Sequence, residues 1–195
     1  MEKTIIRKKI RTILQKLNPE DIRRKSTIIS EKLFQTAWWN EAKIILAFCS
    51  MEYEMETSEI IYAAFDTGKT VGVPRVAGNS LVFHDIRSLE NEADFTMSHF
   101  CIKEPVANLP VLTTARLVSQ QCLIVTPGLA FDRKKNRLGR GKGFYDRFLW
   151  QVKTSQRASI FTVGVCFAEQ LLEYVPMDDR DHIVDGVITE QEVIY

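Results

Sequence analysis

Short apolar runs alternate with amphipathic segments along this 195-residue chain, and the alternation limits the folds that it can adopt. Apolar runs of five to seven residues are typical of buried β-strands. Strands that alternate with helices are typical of an α/β domain. We therefore predict one domain over residues 1–195, with a mixed, mainly parallel sheet flanked by helices in a Rossmann-like, three-layer architecture. The predicted strands are residues 43–48, 69–74, 81–85, 122–127, 161–167 and 182–188.

Helix signals lie before and between the first strands. Apolar residues at helical spacing predict a helix over residues 3–17. Asn18, followed by a proline and two acidic residues, predicts the cap of a second helix that continues to about Ala37. Thr57 is expected to cap a further helix that ends near Gly68.

The rest of the chain contains weaker signals. Pro74 is expected to end the second strand, because proline cannot donate to a β-ladder. Residues 86–118 are expected to be loop with short helical turns, and residues 102–105 a fixed bend within it. Two more helices are predicted, at residues 145–152 and 169–174.

Composition and cysteine spacing indicate a soluble globular protein, 45% hydrophobic and 26% charged. No apolar run approaches the ~20 residues that cross a bilayer. The basic N-terminus lacks the apolar segment of a signal peptide. We therefore expect a cytoplasmic protein that does not associate with membranes. No Cys-x-x-Cys pair is present, so we expect the cysteines to be reduced and structural: Cys49, Cys101, Cys122 and Cys166.

Positive charge is concentrated in two segments although the formal net charge is only +1. Residues 1–25 contain nine basic and three acidic residues, and residues 132–147 contain seven and two. Residues 168–195, by contrast, contain eight acidic residues and one arginine. A nucleic-acid-binding domain is more often basic overall. Two basic segments in a neutral chain suit a small anionic ligand, provided that they meet in space.

Residues 128–147 combine glycines, cations and the start of a helix directly after a predicted strand. Glycines at alternate positions allow backbone amides to approach a ligand closely. The helix start adds free N–H groups and a positive dipole end. This layout suits a polyphosphate, and the alternative is a basic surface hairpin. The glycines are Gly139, Gly141 and Gly143, interleaved with Arg137, Arg140 and Lys142. Their spacing matches neither the Walker A motif nor the dinucleotide-binding fingerprint.

Two carboxylates are candidates for holding the Mg²⁺ that ATP chemistry needs. Asp146 lies in the first turn of the helix after the glycines, where it would equally compensate the helix dipole. Asp181 lies in an acidic segment, and the alternative interpretation of this segment is a surface turn without a ligand. Neither a nucleophile elbow nor a His-x-x-x-His pair is present. The histidines are therefore predicted to be structural: His84, His99 and His182.

The run Pro-Gly-Leu-Ala-Phe-Asp at residues 127–132 and the run Asn-Arg-Leu-Gly-Arg-Gly-Lys-Gly-Phe-Tyr-Asp at residues 136–146 resemble a family signature. It is that of the 5-formyltetrahydrofolate cyclo-ligases, also called 5,10-methenyltetrahydrofolate synthetases. The resemblance covers nearly the whole chain. Further matching positions are Lys3, Arg7, residues 54–57, 103–105, 167–170 and 175–176, Asp181 and residues 184–185.

The resemblance implies an ATP- and Mg²⁺-dependent ligase that closes 5-formyltetrahydrofolate to 5,10-methenyltetrahydrofolate and releases ADP and phosphate. The family's reaction phosphorylates the formyl oxygen, and N10 of the folate then attacks the activated carbon. By matching position, the implied metal ligands are Asp146 and Asp181, and the implied folate contacts are Cys49, Glu54 and Phe144. The implied catalytic residues are Arg140, Lys142 and Tyr145. The implied ATP contacts are Lys3, Arg7, Arg137, Leu138, Gly139, Arg140, Gly141, Lys142, Gly143, Phe144 and Tyr145.

Two positions depart from the family pattern. Lys135 stands where the family commonly has glycine, so we expect Asn136 to adopt the left-handed conformation in that turn. Phe144 replaces a tyrosine of the pattern, so this chain lacks the hydroxyl that the family usually has there.

Two other functions are compatible with the basic loop. A non-catalytic nucleic-acid-binding module would use both basic segments together with Phe144, Tyr145 and Phe148. A small-molecule kinase would use the same loop on another acceptor and leave phosphate on a stable product. The cyclo-ligase hypothesis predicts a small-molecule substrate, no nucleic-acid partner and a monomer.

Overall fold

The computed structural model describes residues 2–98, 102–153 and 160–195, so the predictions for His99 and Cys101 lie outside the described residues. Helices are α1 (Glu2–Leu14), α2 (Pro19–Phe34), α3 (Ala37–Glu41), α4 (Ser58–Asp66), α5 (Thr114–Val118) and α6 (Phe144–Lys153). Short 3₁₀ turns occur at Glu92–Asp94 and Ala168–Gln170. Strands are β1 (Ile44–Leu46), β2 (Thr70–Ala77), β3 (Ser80–Ile86), β4 (Phe95–Met97), β5 (Lys103–Pro105), β6 (Cys122–Thr126), β7 (Ala130–Asp132), β8 (Arg137–Leu138), β9 (Ile160–Val165), β10 (Leu171–Leu172), β11 (Gly186–Ile188) and β12 (Val193–Ile194).

The main sheet of the described residues has seven strands in the order β12-β11-β9-β6-β1-β2-β3. Strands β11, β9, β6, β1 and β2 run parallel, whereas β12 and β3 at the two edges are antiparallel to their neighbours. In one smaller sheet β7 pairs with both β10 and β8, and in another β4 pairs with β5. The prediction of a mixed, mainly parallel α/β sheet is confirmed. None of the helices in the described ranges combines the length and apolar character needed to span a membrane.

Strand β1 lies at the centre of three layers, and all of its side chains are fully buried. Ile45 packs in a cluster with residues of α1, α2 and α4 on one face of the sheet. Ile44 and Leu46 pack on the opposite face in a cluster that includes Phe148 and Leu149 of α6. Successive side chains of a strand point to opposite faces, so a short apolar strand requires helices on both sides. The predicted three-layer arrangement follows from this burial.

The hairpin β7–β8 precedes the glycine-rich loop and is held by a buried carboxylate. Asp132 accepts hydrogen bonds from the backbone N–H groups of Lys134, Asn136 and Val175, and from the side-chain amide of Asn136. Lys135 adopts φ of +66° at the end of the turn. The prediction that Asn136 takes this conformation is wrong, because its backbone N–H and its side-chain amide are both bonded to Asp132 directly before β8 begins.

Pro74 does not end its strand, contrary to expectation. It lies within β2, opposite Phe83 of β3. The carbonyl of Gly72 accepts from Ala47, which shows that the even-numbered residues of β2 direct their backbone groups toward β1. Because β1 pairs with β2 only as far as Gly72, the missing N–H of Pro74 faces no ladder partner.

Several other boundaries also differ from prediction. Residues 103–105 form β5 rather than a bend, because they pair with β4, a non-local contact that local sequence does not encode. Residues 169–174 contain a 3₁₀ turn and the short strand β10 instead of a helix. The second helix ends at Phe34 because the Thr36 hydroxyl caps a separate helix, α3. Thr57 precedes α4 as predicted, but its hydroxyl donates to the carbonyl of Phe48 and does not cap.

Replacing Asp132 with asparagine tests the role of the hairpin carboxylate. Asp132→Asn places an N–H₂ group against backbone donors in a fully buried position, so we expect a loss of about 3 kcal/mol in the free energy of unfolding. Urea unfolding measures this loss. The control Asp66→Asn, at the exposed end of α4, should change the free energy by less than about 0.5 kcal/mol. Equal effects of the two substitutions would show that Asp132 does not support the hairpin.

Candidate active site

A cleft opens beyond the carboxyl ends of β1 and β6, the edge at which open α/β sheets bind ligands. It leaves about 970 Å³ of space between its walls, part of which is open to solvent. The wall-forming residues come from the chain after β1, the β2–β3 hairpin, β5, the chain after β6 and the glycine-rich loop. They are Phe48, Cys49, Met51, Glu54, Pro74, Val76, Leu81, Ile102, Lys103, Glu104, Pro127, Gly128, Arg137, Gly139, Arg140, Lys142, Gly143, Phe144, Tyr145 and Asp146.

The glycine-rich loop has a backbone that only glycine adopts readily. Gly141 and Gly143 have φ of +105° and +67°, and α6 begins at the next residue. A side chain on Gly141 would meet the guanidinium of Arg7 at 3.5 Å. The first N–H groups of a helix have no partner within it, so the start of α6 presents donors beside the open backbone of the loop.

Helix α1 brings the N-terminal basic segment onto this loop. Arg7 donates from Nε to the carbonyl oxygen of Gly139 over 2.9 Å. Lys3 donates to Asp178 over 2.8 Å and also to Asp181. Burial by itself lowers the pKa of Lys3. The hydrogen bonds and charges of these two carboxylates together raise the pKa by more than burial lowers it, so the net shift is upward. The condition that the two basic segments meet in space is fulfilled.

Arg137 is buried beneath the loop and paired with Asp146. Its Nη2 donates to Oδ1 of Asp146, its Nη1 donates to the carbonyl of Pro127, and its guanidinium lies 5.7 Å from the ring centroid of Tyr145. The side chain of Arg137 is only 2% exposed. These contacts make Arg137 a support for Asp146 and for the helix start. Its neighbour Leu138 is buried as well, so that side chain packs in the core.

Tyr145 lines the cleft, and its hydroxyl is buried. No residue in the described ranges hydrogen-bonds this hydroxyl. Burial is the largest cause of the upward shift of its pKa; the charges of Glu54 and Cys49 add to it, and Arg137 opposes it. Tyr145 therefore remains protonated at neutral pH and offers a hydrogen-bond donor.

The thiol of Cys49 is protonated at neutral pH as well. Burial is the main reason that its pKa is raised to about 11. The positive charge of Lys103 lowers this pKa, and the negative charge of Glu104 raises it. Cys49, Cys122 and Cys166 are all free thiols, as predicted. Cys49 therefore contributes to the cleft as a small apolar side chain and not as a nucleophile.

An ion pair joins the two sides of the cleft. Arg140 donates from Nε and Nη2 to Oε1 of Glu54 over 2.9 and 2.6 Å. The second oxygen of Glu54 accepts from the backbone N–H of Met51 over 2.9 Å. The structure thus pairs Arg140, which the resemblance assigns to ATP, with Glu54, which it assigns to the folate. In the free protein, each of these two residues is the ion-pair partner of the other.

Asp146 and Asp181 lie at the same side of the loop. The backbone N–H of His182, next to Asp181, points to Oδ1 of Asp146 over 3.5 Å. Both side chains are partly buried, at 16% and 18% exposure, and Asp181 already binds the ammonium group of Lys3. Carboxylate oxygens in a partly exposed position that attracts a cation fit Mg²⁺, which commonly takes one or two carboxylates together with water and phosphate oxygens.

The remaining sequence-predicted residues occupy less restrained positions. Lys142 is exposed on the cleft wall, and its carbonyl accepts from Arg147 over 2.9 Å. The guanidinium of Arg147 lies 5.4 Å from the ring centroid of Phe144. His84 is buried with Nδ1 2.8 Å from the carbonyl oxygen of Leu109, as predicted for a structural histidine.

Comparison with known proteins decides the family. The model of the 5-formyltetrahydrofolate cyclo-ligase family matches residues 1–190. A probable 5-formyltetrahydrofolate cyclo-ligase from Schizosaccharomyces pombe is 31% identical, over 100% of this chain and 98% of its own. This chain belongs to the 5-formyltetrahydrofolate cyclo-ligase family. The cyclo-ligase from Mus musculus is 32% identical, over 95% of this chain and 92% of its own.

Solved structures agree with the cyclo-ligase assignment. The 5,10-methenyltetrahydrofolate synthetase of Aquifex aeolicus has a TM-score of 0.82 and 29% identity, with coverage of 99% of this chain and 92% of that chain. A synthetase from Mycoplasma pneumoniae, at 20% identity and a TM-score of 0.72, supports the fold alone. The predicted enzyme class, an ATP-dependent folate cyclo-ligase, is confirmed at the level of the family.

Sequence reasoning missed the apolar wall of this cyclo-ligase cleft. Pro74, Val76 and Leu81 of the β2–β3 hairpin form that wall together with Met51. Glu104 lines the cleft too, and the sequence indicated no role for it beyond its match to the family pattern. Apolar residues in a strand carry no chemical signal, so only their position in space shows that they face a ligand site.

The buried pair of Arg137 and Asp146 predicts a large stability effect. Arg137→Met leaves the carboxylate without its main partner, so we expect the free energy of unfolding to fall by about 3 kcal/mol. The control Arg133→Met breaks a pair with Glu192 in which the arginine is 67% exposed, and it should cost less than about 1 kcal/mol. Urea denaturation compares the two variants. Similar small losses would contradict a structural role for Arg137.

Proposed function

We propose that this cyclo-ligase converts 5-formyltetrahydrofolate, ATP and Mg²⁺ to 5,10-methenyltetrahydrofolate, ADP and phosphate through the cleft described above. One observation carries the proposal: the glycine-rich loop, which Arg7 of α1 contacts, and the start of α6 line the same cleft as the apolar β2–β3 wall. A cationic half and an apolar half suit a triphosphate and a pterin ring respectively. The cytoplasmic location, the monomeric state and the absence of a nucleic-acid partner remain parts of this proposal.

The reaction needs ATP because the formyl oxygen of the substrate belongs to an amide and is a poor leaving group. Its attack on the γ-phosphorus forms an O–P bond and breaks the bond to the β–γ bridging oxygen, which releases ADP. The lone pair of N10 then attacks the activated carbon. Phosphate leaves with the C–O electron pair, and N10 loses its proton to water. Catalysis of these steps consists mainly of positioning and charge neutralisation.

The charged residues of the loop fit the phosphoryl-transfer step. We assign Arg140 and Lys142 to neutralising the charge that develops on the transferred group. Tyr145, which stays protonated, is positioned to donate a hydrogen bond to an oxygen at the reacting centre. Arg140 must leave Glu54 to reach a phosphate, and the same movement frees Glu54 to bind the pterin beside Cys49 and Phe144.

Asp146 and Asp181 are the proposed ligands of Mg²⁺. When bound there, Mg²⁺ would neutralise negative charge on the phosphate groups of ATP. The ion pair with Arg137 fixes the position of Asp146, and the ion pair with Lys3 fixes the position of Asp181. Arg7 orients the loop by its bond to Gly139.

An activity assay tests the proposal directly. Purified protein with Mg²⁺, ATP and 5-formyltetrahydrofolate should produce the absorbance of methenyltetrahydrofolate, with one free phosphate released per product. A stable phosphorylated product without free phosphate would instead indicate a kinase. Steeply salt-dependent oligonucleotide binding without turnover would indicate the nucleic-acid-binding alternative.

The metal assignment predicts a specific defect in Asp146→Asn. We expect the Mg²⁺ concentration for half-maximal activity to rise at least about tenfold, because a neutral amide is a weaker ligand. The control Asp178→Asn removes a neighbouring carboxylate that is 61% exposed and pairs with Lys3, and it should change the Mg²⁺ requirement by less than about twofold. If Asp146→Asn leaves the Mg²⁺ requirement unchanged, Asp146 is not a metal ligand and serves to compensate the helix dipole.

A further inference from the structure

We propose that Glu104 is a second folate-binding carboxylate, which accepts hydrogen bonds from an N–H edge of the reduced pterin. The inference rests on the proposed function, whose folate site it extends. Glu104 lies in β5, lines the cleft and is only 6% exposed. It is on the side of the cleft that also contains Cys49.

Glu104 differs from the other buried acidic residues of the described ranges. Asp132 accepts hydrogen bonds from several donors, and Asp85 lies 3.2 Å from Arg87 and 3.6 Å from Arg116. In the described part of the chain, no hydrogen bond or ion pair engages the carboxylate of Glu104. A buried carboxylate without donors is unfavourable, and a ligand that brings N–H groups relieves that cost.

The neighbouring cation does not fulfil this need. Lys103 precedes Glu104 in the strand, so the two side chains start on opposite faces, and Lys103 is exposed. The other carboxylates that line the cleft are both engaged, Glu54 by Arg140 and the backbone of Met51, and Asp146 by Arg137. Among the described residues, Glu104 is therefore the lining carboxylate that no protein donor engages.

The chemistry of the substrate matches the open carboxylate. A reduced pterin carries donors at its 2-amino group, N3 and N8, whereas an ionised carboxylate only accepts. The apolar wall formed by Pro74 and Leu81 lines the same cleft and suits the faces of the ring. A flat ring against this wall would present its N–H edges to the polar groups around it. Hydrogen bonds to a charged acceptor are stronger than those between neutral groups.

The test compares Glu104→Gln with Glu104→Asp and with the control Glu59→Gln, which lies exposed on α4. Calorimetric titration with 5-formyltetrahydrofolate in the absence of ATP should give a Kd at least about tenfold weaker for Glu104→Gln. Glu104→Asp should recover part of the affinity, and Glu59→Gln should match the parent. In turnover, KM for the folate should rise in Glu104→Gln while KM for ATP stays within about twofold.

Stability separates ligand binding from a structural role. Removal of an unpaired buried charge should leave the urea midpoint of Glu104→Gln unchanged or raise it. A lower midpoint with equal weakening of folate and ATP would overturn the inference, as would parent-like folate affinity. If the parent chain itself does not bind 5-formyltetrahydrofolate, the proposed function fails. If the parent binds and Glu104→Gln binds equally well, only the inference about Glu104 fails.

Discussion

The buried ion pair between Arg137 and Asp146 is the contact on which the geometry of the site depends. The loop between them contains three glycines, whose backbone has little intrinsic preference for one conformation. The pair joins β8 on one side of the loop to the first turn of α6 on the other. Arg7 adds a third attachment from α1. Together these contacts confine a glycine-rich segment that lines the cleft.

Acidic residues elsewhere in the sequence balance the cationic loop, so that the net charge of the chain is only +1. Arg140 forms an ion pair with Glu54, and Lys3 forms ion pairs with Asp178 and Asp181. Arg140 and Lys3 thus each have a carboxylate partner in the free protein. Of these partners, Glu54 is the carboxylate that we assign to the pterin, and Asp181 is one of the two that we assign to the metal. Ligand binding would therefore exchange one set of ion pairs for another, and the phosphate and folate halves of the cleft are electrostatically linked.

Much of the fold was predictable from local pattern, because apolar runs such as residues 122–127 report burial directly. The predictions of local structure are wrong where a contact with a residue outside the local sequence pattern determines the conformation. Residues 103–105 are a strand only because they pair with β4, and Pro74 is tolerated only because β1 is short. Lys135 takes the left-handed conformation because Asp132 holds Asn136. In the site, the loop and both metal-binding candidates were recognisable, whereas the apolar wall was not.

The sequence by itself determined the α/β class, the cationic glycine-rich loop and the family to which the chain belongs. These properties are encoded in residue order, since spacing along the chain sets strand burial, backbone freedom and motif identity. Only the tertiary structure decided which groups are engaged and which are open. Arg140 and Glu54 are separated by 86 positions, and Lys3 and Asp181 by 178. Glu104 is open because no described donor reaches its carboxylate. Such pairings depend on how sheet and helices bring distant segments together, which no local pattern encodes.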